Sequence, residues 1–363
     1  RMKTNLLTYI ILLYTGVLSG QKDHLFGEIQ KIIKNEEDVD LSSASGTMIA
    51  VLDWDSTYTY SIGTLSKESN IPVSDTTIFQ VGGLSHAQLT MLAYQMFELG
   101  LISQSDSLKK FKIAPFKDSW INDLTIGQLM SHTSGLPKIL PELTPFKSDP
   151  DDSYINIPAD TIDKYLAIWS KVNTANKLST HSQYNYYLLG KILWMVTDTR
   201  VHKEGSFIPE MKNTFYKDVE DYKNSEIPTL YTAQGRKVGF EHLNGFMPAM
   251  GLLTDLHDLI ILSQVYLRLS GKDDFKKFAL EINANDKKNI KESFSSGGFR
   301  WVKTKKSGNL YFMTGVMKGC SAFLGFVPQT QTCVIILSNS GQSIHSLGMH
   351  ILRMINYQFT RTY

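Results

Sequence analysis

The sequence predicts a mixed α/β (α+β) fold in which one antiparallel sheet, assembled from both ends of the chain, is flanked by helices. Strand-like alternation occurs near both ends, at 47–65 and 310–338, while helical or loop segments dominate the middle. Strands so far apart in the chain can share a sheet only if the residues between them form an inserted lobe. We expect one domain over 21–363, with its sheet region at about 25–80 and 290–363 and a helical lobe at about 81–289.

Each element has its own sequence signal. The predicted helices have apolar residues at helical spacing, and one of them ends at Gly100, a residue typical of a helix C-terminus. Residues 141–158 are polar and contain prolines, so we interpret them as a surface excursion. The predicted elements are helix Leu25–Lys34, strands Thr47–Asp53 and Thr57–Leu65, helix Leu84–Leu99, strands Leu310–Met317, Ser321–Val327 and Thr332–Ser338, and helix Ser343–Phe359.

Composition and charge exclude several classes of protein. The 363 residues are 42% hydrophobic and 20% charged, which is typical of a globular domain with a sizeable core. The formal charge is only +2, and no run of lysine and arginine is long enough to follow a phosphate backbone. We therefore expect no nucleic-acid partner.

The N-terminus has the pattern of a secretory signal peptide at residues 1–20. Met2 and Lys3 precede an apolar run over 6–18, and the small residues Ser19 and Gly20 follow it. The apolar run is about 13 residues long, whereas a membrane-spanning helix needs about 20. The sequence thus predicts a secreted or periplasmic protein without a membrane span.

The two cysteines, Cys320 and Cys333, are not expected to form a disulfide. If a hairpin turn lies at 328–331, Phe326 faces Cys333 and Cys320 lies six residues further along its strand. At about 3.3 Å per residue the sulfurs are then roughly 20 Å apart, far beyond bridging distance. Two buried thiols are the expected state.

Four segments resemble the serine β-lactamase superfamily, in its class C, D-alanyl-D-alanine carboxypeptidase and esterase branch. The longest carries the string His-Thr-Ser-Gly-Leu-Pro, and all four occur in the family's order within about 45–357. This resemblance implies a β-lactamase/transpeptidase-like fold. The segments are Leu124–Pro137, Ile208–Phe215, Ala249–Leu259 and Val334–Ser340.

The resemblance also shows that the expected catalytic pair is missing. Members of the family attack a carbonyl with a serine at a helix start, and a lysine one turn later takes its proton. At these positions the chain has Gly83 and His86. Glycine has no side chain and cannot form an acyl-enzyme.

The other two catalytic elements of the family are changed as well. Its Tyr-Ser-Asn element corresponds to His181-Ser182-Gln183, so the phenol is lost and an amide is kept. Its Lys/His-Thr-Gly element corresponds to Met313-Thr314-Gly315, where a thioether replaces the cation. We therefore predict a secreted pseudoenzyme that binds a carboxylate-bearing ligand, a peptide or another envelope protein without cleaving it.

Backbone groups are expected to supply part of this binding site. The resemblance assigns an oxyanion hole to the amides of Gly83 and Val316, which need no side chain. The helix start at Gly83 also favours an anion, and the hydroxyl of Thr314 could assist. The predicted ligand-binding residues are Gly83, Ser85, His86, His181, Gln183, Tyr184, Thr314, Gly315 and Val316.

Three alternatives remain open. The protein could be an active serine hydrolase that uses Ser85 or Ser182 with a histidine base, or a purely structural partner in an envelope complex. His86 and His181 could also share a proton or bind Zn²⁺, but these motifs supply no third ligand. We therefore expect no cofactor and no metal, and we assign His132, in the His-Thr-Ser-Gly string, a structural role.

Overall fold

A six-stranded antiparallel sheet forms the centre of the computed structural model. The strand order is β2-β1-β11-β10-β9-β8, so strands from the two chain ends lie side by side, as predicted. The structure describes residues 21–113, 116, 118–138, 157–174, 181–197, 208–216, 226–282, 294–304 and 307–358. The predicted signal peptide and residues 141–156 of the predicted surface excursion lie outside these ranges.

Each predicted strand and helix is present, and the described residues contain further short elements that were not predicted. The strands are β1 Gly46–Asp53, β2 Ser56–Gly63, β3 Phe79–Gln80, β4 Phe215–Tyr216, β5 Leu230–Tyr231, β6 Lys237–Val238, β7 Leu252–Thr254, β8 Arg300–Lys303, β9 Asn309–Val316, β10 Ser321–Val327 and β11 Thr332–Ser338. The helices are α1 over 21–35, α2 Ser85–Glu98, α3 Ile126–Met130, α4 Ala159–Val172, α5 Gln183–Val196, α6 Met247–Met250, α7 Leu256–Leu269, α8 Asp273–Phe275 and α9 His345–Gln358.

The two faces of the sheet pack against different helices. In β1, Ile49 and Val51 point into a core shared with α1 and α9, whereas Met48, Ala50 and Leu52 belong to the larger core that contains α2, α5 and α7. This alternation follows from the two-residue period of a strand. The central strands of the sheet are therefore buried on both sides, and every residue of β10 and β11 is buried.

The β10–β11 register confirms the prediction about the cysteines. Phe326 pairs with Cys333, and Cys320 lies before the first residue of β10. Both thiols are free and buried. Burial raises the pKa of each thiol, so both are protonated and unreactive at neutral pH.

The middle of the chain contains strands as well as helices. β3, β7 and β4 form a small second sheet, which the sequence prediction of a helical lobe missed because each of these strands has only two or three residues. β3 leads directly into the 3₁₀ turn Gly82–Leu84 and then into α2. The small sheet thus fixes where α2 begins.

Asp255, the residue after β7, caps α7 and makes stability depend on pH. Its side chain accepts a hydrogen bond from the backbone N–H of Asp258 at 2.8 Å, and burial raises its pKa to about 6. The folded state therefore keeps a proton that the unfolded state has lost between about pH 4 and 6. The contribution of Asp255 to folding should fall as pH rises through this range, by at most about 3 kcal/mol.

We expect Asp255→Asn to reduce this pH dependence, because an amide oxygen can still cap the helix without carrying charge. Urea unfolding at pH 4 and pH 7 measures the effect. Asp273→Asn is the matched control, since the side chain of Asp273 is 98% exposed and should leave the pH dependence unchanged. Equal pH dependence in wild type and Asp255→Asn would contradict the prediction.

Candidate functional site

Gly83 lies at the centre of the candidate site, between strand β9 and helix α5. A Cβ atom built on Gly83 would lie 3.2 Å from the backbone oxygen of Thr314 and 3.8 Å from Nε2 of Gln183. The preceding residue, Gly82, has φ +52°, and a Cβ there would lie 2.9 Å from Sδ of Met317. Glycine at positions 82 and 83 therefore allows the start of α2 to lie close to β9.

Strand β9 forms one wall of the site. Met313, Thr314 and Val316 line a cavity beside Gly83, and Gly315 packs against the turn before α2. A Cβ on Gly315 would lie 1.7 Å from the backbone oxygen of Val81 and 3.1 Å from the backbone nitrogen of Gly83. Only glycine permits this approach of two backbones, which places the Gly83 turn beside the Gly315–Val316 end of β9.

His86 lies in the first turn of α2 and is buried. Its Nε2 is 3.0 Å from Oε1 of Gln183, and its ring stacks on Tyr186 with 3.7 Å between centroids and 5° between planes. Burial, followed by the neighbouring His181, holds the pKa of His86 well below its ordinary value. His86 is therefore neutral and does not supply the cation that a lysine would at this position.

His181 and His132 complete a cluster of three imidazoles. The ring of His181 is 5.8 Å from that of His86 and 4.7 Å from that of His132, measured between centroids. His132 is buried in the left-handed backbone region at φ +55°. Its Nδ1 accepts a hydrogen bond from Nδ2 of Asn185 at 2.8 Å, and burial holds its pKa well below the ordinary value.

The His-Thr-Ser-Gly string ties this cluster to α5. The hydroxyl of Ser134 donates to Oδ1 of Asn185 at 2.5 Å and accepts from the backbone N–H of Leu136 at 3.1 Å. The structural role that the sequence assigned to the string thus has a physical basis. The position of His132 beside His86 and His181 could not be deduced from the sequence, because it depends on how α3 packs against α5.

Ser85 and Tyr184 do not line the cavity, which corrects their place among the predicted ligand-binding residues, and neither does Ser182, the second alternative nucleophile. The buried hydroxyl of Ser85 donates to the carbonyl of Gly82 at 2.6 Å, and that of Ser182 donates to the carbonyl of Pro137 at 2.7 Å. Tyr184 is buried against Phe246. Both serine hydroxyls thus donate to backbone carbonyls and lie outside the cavity lining.

The cavity itself is small and carries one permanent positive charge. Its volume is about 120 Å³. Arg300, the first residue of β8, lies at its exposed mouth near the ring of Phe294, and none of the described residues that line it is acidic. The lining residues are Gly83, His86, His181, Gln183, Met250, Phe294, Gly298, Arg300, Phe312, Met313, Thr314 and Val316.

Sequence reasoning missed Arg300 and the strand that carries it. β8 has four residues, mostly exposed, so it lacks the alternation that marks a half-buried strand. The signal that could have found it is the turn Ser295–Gly298, followed by Phe299 and a strand-like Arg-Trp-Val. β8 pairs with β9, which places the arginine opposite Phe312 at the edge of the site.

These features agree with a known family. A sequence model of the beta-lactamase family matches residues 35–356, and the chain belongs to this family. A beta-lactamase of Providencia stuartii is 28% identical over 131 residues, which are 36% of this chain and 31% of that protein. The chain thus matches about a third of the length of this relative.

Solved structures show the same fold. A class C beta-lactamase superposes with a TM-score of 0.71 at 19% identity, over 92% of this chain and 95% of that one. The beta-lactamase/D-alanine carboxypeptidase of Pseudomonas syringae gives a TM-score of 0.71 at 17% identity, over 92% and 99%. The predicted β-lactamase/transpeptidase-like fold is therefore confirmed. Among the described residues, no helix has both the length and the apolar character needed to cross a membrane.

Proposed function

We propose that the protein is a non-hydrolytic member of the beta-lactamase family that binds a small carboxylate-bearing ligand, such as the C-terminus of a peptide. The observation that carries this proposal is the combination of Gly83 with an arginine-bearing cavity. A glycine at the helix start removes the nucleophile, while the cavity beside it remains open. Binding is retained and acyl transfer is lost.

The electrostatics of the cavity support an anionic ligand. Arg300 supplies a permanent charge and a planar fork of donors that fits a carboxylate. His86 and His132 are neutral, and the described lining residues add no negative charge. The hydroxyl of Thr314 and the side-chain amide of Gln183 also line the cavity and offer further hydrogen bonds.

Calorimetric titration with N-acetyl-D-alanyl-D-alanine and its C-terminal amide tests the proposal. We expect the acid to bind and the amide to bind much more weakly, because only the acid presents a carboxylate to Arg300. Arg300→Gln should weaken binding of the acid roughly tenfold, as expected for one charge-assisted hydrogen bond at an exposed mouth. Arg353→Gln, at an exposed position on α9, is the matched control. Equal affinity for acid and amide would contradict the proposal.

We propose that the protein acts outside the cytoplasm, in the periplasm or in the medium. Support comes from the sequence of residues 1–20, with its charged start, apolar run and small residues. Cell fractionation with N-terminal sequencing of the mature protein tests this. A protein retained in the cytoplasm with residues 2–20 intact would contradict it.

A further inference from the structure

We infer that His86, His132 and His181 form a binding site for a divalent transition-metal ion, with Zn²⁺ as the best match. One nitrogen from each ring can be chosen so that all three lie within 4.8 Å of one another. The rings come from three separate segments: the first turn of α2, the residues after α3 and the residues before α5. The fold thus adds the imidazole of His132 to those of His86 and His181, and so supplies the third ligand that the catalytic motifs lack.

The spacing of the rings suits a single ion. Zinc lies about 2.0–2.1 Å from a ligating histidine nitrogen, so two rings at a tetrahedral angle have centroids roughly 5 Å apart. The three centroid distances here are 4.7, 5.8 and 5.8 Å.

The ligand set and its surroundings also suit zinc. Imidazole is a good ligand for Zn²⁺, Cu²⁺ and Ni²⁺, and three protein ligands leave a fourth position open. His86 and His181 line the cavity, so that open position faces solvent or a bound ligand. Both buried rings, His86 and His132, are kept in the neutral form that ligates a metal.

Neighbouring groups already orient His86 for this role. The backbone carbonyl of Ala249 accepts a hydrogen bond from the ring. Because Nε2 lies 3.0 Å from Oε1 of Gln183, which can only accept, ligation through Nε2 requires the ring proton on Nδ1 and the loss of this contact. A backbone carbonyl on the far nitrogen is a common support for a metal-ligating histidine. The metal would displace the side-chain amide of Gln183.

His132 needs two local changes to ligate through Nε2. A neutral ring that ligates through Nε2 carries its proton on Nδ1, and Nδ1 now accepts from the amide of Asn185 at 2.8 Å and from the backbone N–H of Ser182 at 3.3 Å. Turning the Asn185 amide over would present its oxygen to Nδ1–H and its NH₂ to the hydroxyl of Ser134. The longer contact from Ser182 would be given up.

Titration of chelator-treated wild-type protein with ZnCl₂ alone, followed by calorimetry, tests the site. We expect one equivalent to bind with a Kd in the micromolar range or below. His181→Ala and His86→Gln should each weaken binding by roughly 10-fold or more, since even groups that only support a ligand contribute 10–100-fold. The titration contains no carboxylate-bearing compound, so its outcome is independent of the proposed function.

Matched controls are available in the same chain. His257 and His350 belong to two other groups of histidine and carboxylate side chains, Asp255–His257–Asp258 and Glu36–Asp38–His350. A double variant His257→Ala/His350→Ala should bind zinc as wild type does. Absence of saturable zinc binding in wild type, or loss of binding in this double variant instead of in His181→Ala, would overturn the inference.

Asn185→Asp offers a gain of affinity that does not depend on removing a ligand. A carboxylate there can only accept from Nδ1–H of His132 and still accepts from Ser134, so it should tighten zinc binding several-fold, up to about 10-fold. Unchanged or weaker binding in a folded Asn185→Asp protein would contradict the assignment of His132.

Bound Co²⁺ should give the intense visible absorption of tetrahedral nitrogen coordination, and His181→Gln should lose this absorption. A weak octahedral spectrum of the wild-type protein would count against the site.

Discussion

Gly315→Ala should destabilise the protein by at least about 3 kcal/mol. The added Cβ would lie 1.7 Å from the backbone oxygen of Val81, and a backbone atom cannot swing aside as a flexible side chain can. To relieve this clash, either β9 must separate from the turn before α2, or that turn and the small sheet attached to it must move. Overpacking a well-packed interior typically costs 1–3 kcal/mol, and occasionally more. Urea unfolding measures the loss.

Gly239→Ala is the matched control for this substitution. A Cβ on Gly239 meets no atom within 4 Å, so the change should alter the free energy of unfolding by less than about 1 kcal/mol. Loss of ligand binding should accompany the loss of stability in Gly315→Ala, since the same contact forms a wall of the cavity. A Gly315→Ala protein as stable as Gly239→Ala would show that the two backbones do not approach as closely as described.

Gly83→Ser/His86→Lys should restore slow acylation by a fluorescent penicillin. The new serine requires the backbone of Thr314 to move by only a few tenths of an ångström, because its Cβ would lie 3.2 Å away. Positions 83 and 86 share one helical face, so the lysine amine can reach the serine hydroxyl. His181 still replaces the family's tyrosine, so we expect the rate to remain about 10²–10⁴-fold below that of an intact site.

The single variants separate the two contributions. His86→Lys alone should form no adduct, because it still lacks a hydroxyl at position 83. Gly83→Ser alone should acylate more slowly than the double variant, since its neutral, buried histidine is held by Gln183 and Tyr186. Equal labelling of His86→Lys and the double variant would show that another residue is the acceptor.

The sequence predicted the large sheet well because its strands carry strong and simple signals. β10 and β11 are continuous apolar runs bounded by turns, and their predicted ends coincide with the observed ones. The start of α2 was placed within one residue for a related reason, the helical spacing of its apolar positions. The small sheet and β8 were missed because strands of two to four residues are fixed by tertiary pairing rather than by local pattern.

The candidate site was only partly predictable. Gly83, His86, His181, Gln183 and Thr314 were placed at the cavity because they occupy recognisable motif positions. Ser85 was wrongly assigned to the cavity because helix phase alone does not tell which side of the first turn faces the small sheet. Its hydroxyl contacts the backbone N–H of Leu252 in β7.

The two most informative additions depend on contacts between distant segments. Arg300 reaches the cavity through the pairing of β8 with β9, and His132 joins the histidine cluster through the packing of α3 on α5. Neither contact leaves a periodic signal in the chain. Both change the interpretation, since one supplies a positive charge for a carboxylate and the other a third imidazole.

Intact-mass spectrometry of the wild-type protein, after long incubation with a penicillin and with a fluorophosphonate, tests the central claim most directly. The absence of a side chain at Gly83 and the burial of Ser85 and Ser182 predict an unchanged mass with both reagents. Gly83→Ser/His86→Lys serves as the positive control for the penicillin. A stoichiometric adduct on any serine of the wild-type protein would contradict the claim that this site binds without acyl transfer.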